Sequence, residues 1–208
     1  MSPFDLPHHP EIMDYDVWGG WSPSVGPNSP LSDSCAPAGD QDGSAVSAVS
    51  AWSGAGFPVS QMLLGVPAYG HSYRVSQSDA LDASGNIQLY AKFDKSDQPQ
   101  GDKWDTTAGS VDVCGNPTAT GGIFQFWGLV EFGFLKDDGT AADGIKYYFD
   151  DCSKTVRAPE ALSLIDSLMA LSGQPYVYNT TSEVMVSFDD ATSFSTPLLV
   201  LFCCEGNR

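Results

Sequence analysis

Positive charge is what this chain has least of. Nine Lys and Arg stand against 26 Asp and Glu in 208 residues, a formal charge of −17, and no Lys/Arg cluster occurs anywhere. Phosphate binding rests on such clusters, so nucleic acid is excluded as a partner. Long apolar runs are missing too. None approaches the roughly 20 residues that cross a bilayer, so no membrane span is expected. The opening MSPFDLPHHPE has neither a basic stretch nor an apolar core, so no signal peptide is expected within it. No Cys-x-x-Cys and no Cys/His set with zinc-ligand spacing is present, which argues against a structural metal; no cofactor motif appears either. Phosphate loops and Gly-x-Ser-x-Gly are also absent, and nothing forms a nucleophile–His–carboxylate set.

What the chain does contain is 42% hydrophobic and 12% aromatic residues, enough for one globular core, together with 21 Gly and 14 Pro that demand much loop. An acidic, aromatic-rich, lysine-poor surface suits a secreted protein that handles neutral ligands, simple solubility being the plainer explanation. The five cysteines are an odd number. Cys114 (VDVCGNP) and Cys152 (DDCSK) sit in similar loop-like surroundings, which fits a disulfide, although the sequence leaves the pairing among Cys35, Cys114 and Cys152 open. Cys203 and Cys204 lie in the apolar tail.

Along the chain, IMDYDVW (about 12–18) and QMLLGVPAYG (about 61–68) read as strands buried on both faces, as parallel strands are. Between them lies a long loop, and then SAVSAVSAWSGAG, with Ala45, Ala48, Val49 and Trp52 at helical spacing and Gly54, Gly56 and Pro58 as its stop. The three together form a βαβ unit. Residues 1–73 are therefore expected to be a partial β/α segment. Residues 74–194 are expected to be an inserted α+β subdomain with strand-like IQLYAKF, GIFQFWGLV and GIKYYFD, and a return to strand at about 176–188. Within it, VRAPEALSLIDSLMALSGQ (156–174) has a helical apolar face, and residues 195–208 form an unrelated apolar tail.

Alternation on a strand puts Met13 and Tyr15 on one side. Asp16 and Trp18 follow at the carboxyl end, where parallel α/β proteins place their sites. The second strand ends in Tyr69, His71 and Tyr73, so neighbouring parallel strands would bring both clusters over one cleft. Aromatic faces with a few carboxylates and hydroxyls suit a sugar: rings stack on its C–H face and polar groups fix its hydroxyls. The alternatives are that Trp18 and Trp21 pack in the core or a loop, and that His71 is a satisfied loop histidine.

MDYDVWGGW followed by VGPNSPL resembles the sixth-strand segment of family 18 glycoside hydrolases, the chitinases. LLGVPAYGHSY is similar to that family's seventh strand. GSAVSAV, VDVCGNP and the aromatic-rich insertion are closest to secreted fungal members. The resemblance covers about residues 11–155 and 175–194. It implies a TIM (β/α)8 barrel, here present as about strands six and seven, that cleaves β-1,4-linked N-acetylglucosamine, and an extracellular location. The route it implies is substrate-assisted: the sugar's own acetamide attacks the anomeric carbon while a protein acid protonates the leaving oxygen. By the same resemblance Tyr15 would donate its hydroxyl to the acetamide, and Asp16 would hold a sugar hydroxyl and help raise the acid's pKa. Met13 would floor the pocket, Trp21 would stack a sugar on the leaving-group side, and Tyr69 would line the wall. His71 stands where many relatives have Arg.

The family's acid lies in Asp-x-x-Asp-x-Asp-x-Glu, a run these 208 residues do not contain. The expectation is a chitinase-type fragment that keeps part of the sugar cleft and lacks the proton donor. The alternatives are a non-catalytic chitin-binding or structural module, and a product without a function of its own. Segment 156–174 interrupts the resemblance. It begins with a Val codon and ends with a Gln codon, as a translated in-frame intron would, and an inserted amphipathic helix is the other reading. Asn179-Thr180-Thr181 is the single glycosylation sequon.

Overall fold

A computed structural model describes residues 10–41, 43–150, 174–190 and 193. Strand β1 (Glu11–Met13) pairs in parallel with β2 (Leu63–Gly65), Ile12 standing opposite Leu64. Helix α1 (Ala45–Gly54) crosses between them. Its start is fixed by a capping box in which Ser44 and Ser47 each accept the other's backbone N–H, and it ends before Gly56 at φ +96°. Both strands are shorter than expected. Asp16, at φ +59°, turns the chain out of strand geometry directly after β1. The expected burial on both faces is corrected as well. Ile12 and Asp14 are buried, whereas Met13 and Leu63, on the other side, are 70% and 47% exposed because no described element covers them. Of the apolar positions of α1 only Ala45 is fully buried; Trp52 is exposed and packs edge-on to Phe57.

Residues Tyr69–Arg74 form β3, which departs from the parallel pair and enters a five-stranded antiparallel sheet. The others are β4 (Ile123–Gln125), β5 (Ile145–Asp150), β6 (Gln174–Asn179) and β7 (Val184–Ser187), in the order β4-β3-β7-β6-β5. Short helices α2 (Gln77–Ala80) and α3 (Phe126–Glu131) complete the elements. Alternation gives the sheet two apolar faces. Tyr73, Tyr176, Tyr178 and Met185 pack with Val25 and Val75 on one face. Val177, Val184, Val186 and Phe188 pack with Phe124, Leu129 and Phe134 on the other. The polar-aromatic set expected at the end of a barrel strand is therefore carried by the second strand of this sheet.

IQLYAKF, read as a strand, is not one. Only Ile87 bridges, to Leu81, across a turn in which the Asp82 carboxylate accepts the N–H groups of Ser84 and Asn86. Tyr90 sits at φ +55°, which breaks extended geometry, and its ring packs on Trp18 at 5.4 Å. GIFQFWGLV divides into β4 and α3. The expected Cys114–Cys152 disulfide is corrected: Cys114 is a free, exposed thiol in a turn built by Asp112, while Cys35 is disulfide-bonded. Cys152, Cys203 and Cys204 lie outside the described residues. Residues 156–173 of the proposed insert and the tail 195–208 also lie outside them, and Gln174 is the first residue of β6. No described helix is long and apolar enough to cross a membrane.

Candidate functional site

The site forms where the turn after β1 meets the start of β3. Asp16 tolerates its left-handed backbone better than a branched residue would. Its N–H donates to the Asn28 side-chain oxygen at 3.0 Å. Asn28 is fully buried, and it fastens three elements at once. Its own N–H donates to the Ser187 hydroxyl on β7 at 3.0 Å, and its side-chain amide donates to the Tyr69 carbonyl on β3 at 2.9 Å. The β1 turn is thereby locked to the antiparallel sheet.

So placed, one Asp16 oxygen, Oδ1, takes two partners. The Tyr69 hydroxyl donates to it at 2.8 Å and His71 Nε2 lies 2.9 Å away. His71 is buried on a strand and not in a loop. The Tyr69 phenol is pushed well above its usual range, first by desolvation, then by its bond to the Asp16 carboxylate and by that group's charge. It stays a hydrogen-bond donor at any physiological pH.

The structure brings the sequence-selected residues together unevenly. Tyr15 meets Tyr69 edge to face, ring centroids 6.3 Å apart, and Tyr69 meets His71 at 5.9 Å. Trp21 is 62% exposed and stands edge-on to the His71 ring at 5.4 Å, its own carbonyl accepting from Lys95. Met13 is exposed on the same side of β1 as Tyr15 by alternation. Trp18 is different: it is fully buried, so it belongs to the core. A Cβ on Gly26 would lie 2.0 Å from its ring, so that backbone approach requires glycine.

Sequence reasoning missed Asn28, which it quoted only as part of VGPNSPL. An amide in a Gly/Pro-rich loop between two predicted elements was the available signal. It also missed Gln125, whose Cα pairs with that of Tyr69 and whose side chain accepts the Trp127 indole N–H at 2.6 Å. A second missed group lies behind the site. Asp14 and Asp189 are both buried and border a cavity of about 20 Å³, room for one water. Burial, the larger cause, raises Asp14 to about 7 and Asp189 to about 6. Asp189 accepts from Gln174 at 2.7 Å and Ser29 at 2.8 Å. Among the described residues no group of three or more His, Cys, Asp or Glu is placed to hold a metal ion.

Two tyrosine hydroxyls, one carboxylate and the exposed Trp21 ring thus gather where the turn after β1 meets β3. The comparisons define the class. The model for glycosyl hydrolases family 18 matches residues 7–202. A chitinase-like effector of Moniliophthora roreri is 49% identical over 187 residues, covering 89% of this chain and 41% of that protein. The crystal structure of a chitinase from Rhizomucor miehei matches with a TM-score of 0.69 at 30% identity, over 93% of this chain and 45% of that one. A chitinase from Cycas revoluta, solved in complex with (GlcNAc)3, shares the fold with a TM-score of 0.53 at 18% identity, over 94% of this chain and 38% of that one. The chain belongs to glycosyl hydrolase family 18, and it spans less than half the length of these relatives.

Proposed function

We propose that this chain is the portion of a chitinase-type protein that carries one wall of a chito-oligosaccharide groove, and that by itself it binds such a ligand without hydrolysing it. The observation that supports this reading above others is the shared Asp16 oxygen. Tyr69 and His71 both meet it, and Tyr15 stands beside Tyr69. In this reading β1 and β2 are a piece of a (β/α)8 barrel, with the exposed side of Met13 turned toward its lumen. Residues 1–73 belong to that barrel and residues 74–194 to the inserted α+β subdomain, apart from β3, which is shared between them by its pairing.

Tyr15 donates its hydroxyl to an N-acetyl oxygen, Asp16 accepts from a sugar hydroxyl through the oxygen its partners leave open, and Trp21 offers an indole face to a pyranose. Hydrolysis needs a proton on the leaving oxygen at the moment the acetamide attacks. The Asp-x-x-Asp-x-Asp-x-Glu run is not part of these 208 residues, and in this reading that is why the chain binds without hydrolysing. The kinship with a chitinase-like effector favours binding as an activity in its own right. Secretion accords with the acidic, lysine-poor composition.

The test is retention on chitin beads, with hydrolysis of a fluorogenic chitobioside measured on the same preparation. Retention lost in Trp21→Ala, with no turnover, is expected. Turnover abolished by Tyr15→Phe would overturn the non-hydrolytic part, and retention equal in wild type and Trp21→Ala would overturn the groove.

A further inference from the structure

Two glycines stand directly before the exposed indole of Trp21, and each is tight against a side chain. A Cβ on Gly19 would lie 2.3, 2.5 and 2.7 Å from Cη2, Cζ3 and Cζ2 of the Trp21 ring. Such nearly equal distances to one ring atom and both its neighbours mean an approach to the face. An approach to the edge would leave the neighbours much farther away. The indole therefore lies face-down on the Gly19 backbone. Gly19 is buried although it sits in a turn, which that covering ring explains. The turn is closed at both ends, the Ser22 N–H donating to the Gly19 carbonyl at 2.9 Å and the Gly19 N–H to the Ser22 hydroxyl at 3.1 Å. Gly19 is not among the residues at positive φ, so space and not conformation calls for glycine here.

Gly20 closes against a second partner. A Cβ there would lie 2.7 Å from Gln98 Oε1, and Gln98 is held in place because its amide donates to the Ser72 carbonyl on β3 at 2.8 Å. Ser72 follows His71. Trp21 stands edge-on to the His71 ring at 5.4 Å and an interplanar angle of 80°, and Tyr69 does so at 5.9 Å and 88°. One buried imidazole thus carries both rings, which fixes the indole relative to the Tyr69–Asp16 pair. With one face on Gly19 and an edge at His71, Trp21 keeps its other face open to solvent.

We infer that Gly19 is a positioning residue: its lack of a side chain seats the Trp21 indole in one orientation with one face presented, and the saccharide affinity of the groove depends on that seat. The inference rests on the saccharide reading of Trp21 and adds to it what orients the ring. A ring already held in its binding pose loses less rotamer freedom when a sugar stacks on it. Displacing it therefore costs affinity even though the indole is still present.

Two readouts test the seat. In NMR spectra of the free wild-type chain, one Gly19 α-proton is expected well upfield of the ordinary glycine position, because it lies in the shielding cone of the indole. Trp21→Ala should return it. An ordinary Gly19 shift in wild type overturns the inference with no ligand needed. The second readout is calorimetric titration with N-acetylglucosamine tetramer. Gly19→Ala is expected to weaken binding about tenfold, the scale of one displaced aromatic anchor. It should cost nothing in a chain carrying Trp21→Phe, which still stacks but lacks the three carbons that Gly19 meets. An equal loss in both backgrounds would show that Gly19 acts through something else, and it too overturns the inference. If Trp21→Ala loses the tetramer while Gly19→Ala binds it as wild type does, the groove stands and the seat falls. If wild type binds no tetramer, the saccharide reading falls and takes the role of the seat with it, whatever the proton shift. The ring atoms that Gly19 meets are the far end of an exposed side chain, so Gly19→Ala moves the ring and leaves the fold intact, and the urea midpoint verifies that.

Discussion

Asp16 ties the site together through one oxygen that satisfies both a phenol and a buried imidazole. Asp16→Asn keeps the shape and removes the charge. Two of the causes that raise the Tyr69 phenol then disappear, the bond to a carboxylate and that group's charge, while desolvation remains. The Tyr69 pKa is expected to fall toward the ordinary tyrosine range, read by NMR of ring-labelled tyrosine against alkaline pH. An unmoved Tyr69 resonance would show that Asp16 does not govern it. Asp16→Ala goes further and leaves the buried His71 without that acceptor, at about 1–3 kcal/mol by the usual penalty for an orphaned buried group. Gly26 makes a separate residue-scale case. Any side chain there meets the Trp18 ring at 2.0 Å, and overpacking of that kind costs about 1–3 kcal/mol or more. Gly26→Ala is expected to lower the urea midpoint, with Trp18 fluorescence reporting the loosened core. An unchanged midpoint would mean that the ring has room to move.

Strands were easier to read than turns. The parallel pair, the crossover helix and β5 all follow from apolar runs and stop signals that neighbouring residues carry. Two features could not be read that way. β3 joins the antiparallel sheet because β7, more than a hundred residues away, pairs with it, and no local pattern announces so distant a partner. Tyr90 leaves strand geometry because a buried Trp18 claims its ring. At the site, Tyr15, Asp16 and Tyr69 were legible from their places at strand ends, whereas Asn28 works through bonds to β3 and β7 that only the folded chain creates. The register of β5 and β6 supports one element-scale prediction. Asp150 lies opposite Gln174, so the two strand ends are already adjacent where residues 151–173 connect them. Removing 155–173 leaves 151–154 as a short hairpin loop, and loop-closure entropy favours that by about 1–2 kcal/mol. This deletion is expected to fold with an unchanged or raised midpoint. Removing 156–174 instead puts Thr155 opposite Asp150 and takes away the donor that meets Asp189 at 2.7 Å, so it is expected to be the less stable of the two by about 1–3 kcal/mol. Loss of cooperative unfolding in both would show that the segment belongs to the fold.

At the scale of the whole molecule, buried acid sets the response to pH. Asp14 follows β1, Asp189 follows β7, and both border the small cavity between the parallel pair and the antiparallel sheet. The charges that act on them are all acidic, Asp189 and Asp33 on Asp14 and Asp190 on Asp189, with the Ala45 N–H, Gln174, Ser29 and Ser193 as the neutral donors. No cation offsets them among those causes. In the folded chain both carboxyls hold protons more tightly than in the unfolded chain, Asp14 up to about 7 and Asp189 up to about 6 from an ordinary 3.8. A raised acid pKa means that folding takes up protons. The stability linked to these groups is therefore complete below the unfolded value and is lost as pH rises through 6 and 7. Each pKa unit corresponds to about 1.4 kcal/mol, and the two sites repel each other, so their shifts overlap and do not add in full. The expected change is a few kcal/mol, on the order of two or three such units. Urea denaturation from about pH 8 down to about pH 5 should show the midpoint climbing steadily. The net charge of −17 contributes in the same direction, since protonation anywhere relieves self-repulsion. Asp14→Asn separates the two causes. It removes the group with the larger shift and changes the formal charge only from −17 to about −16, so a general charge effect would leave the slope almost as it was. A slope in the variant no shallower than in wild type would place the pH response on the surface and not between the two sheets.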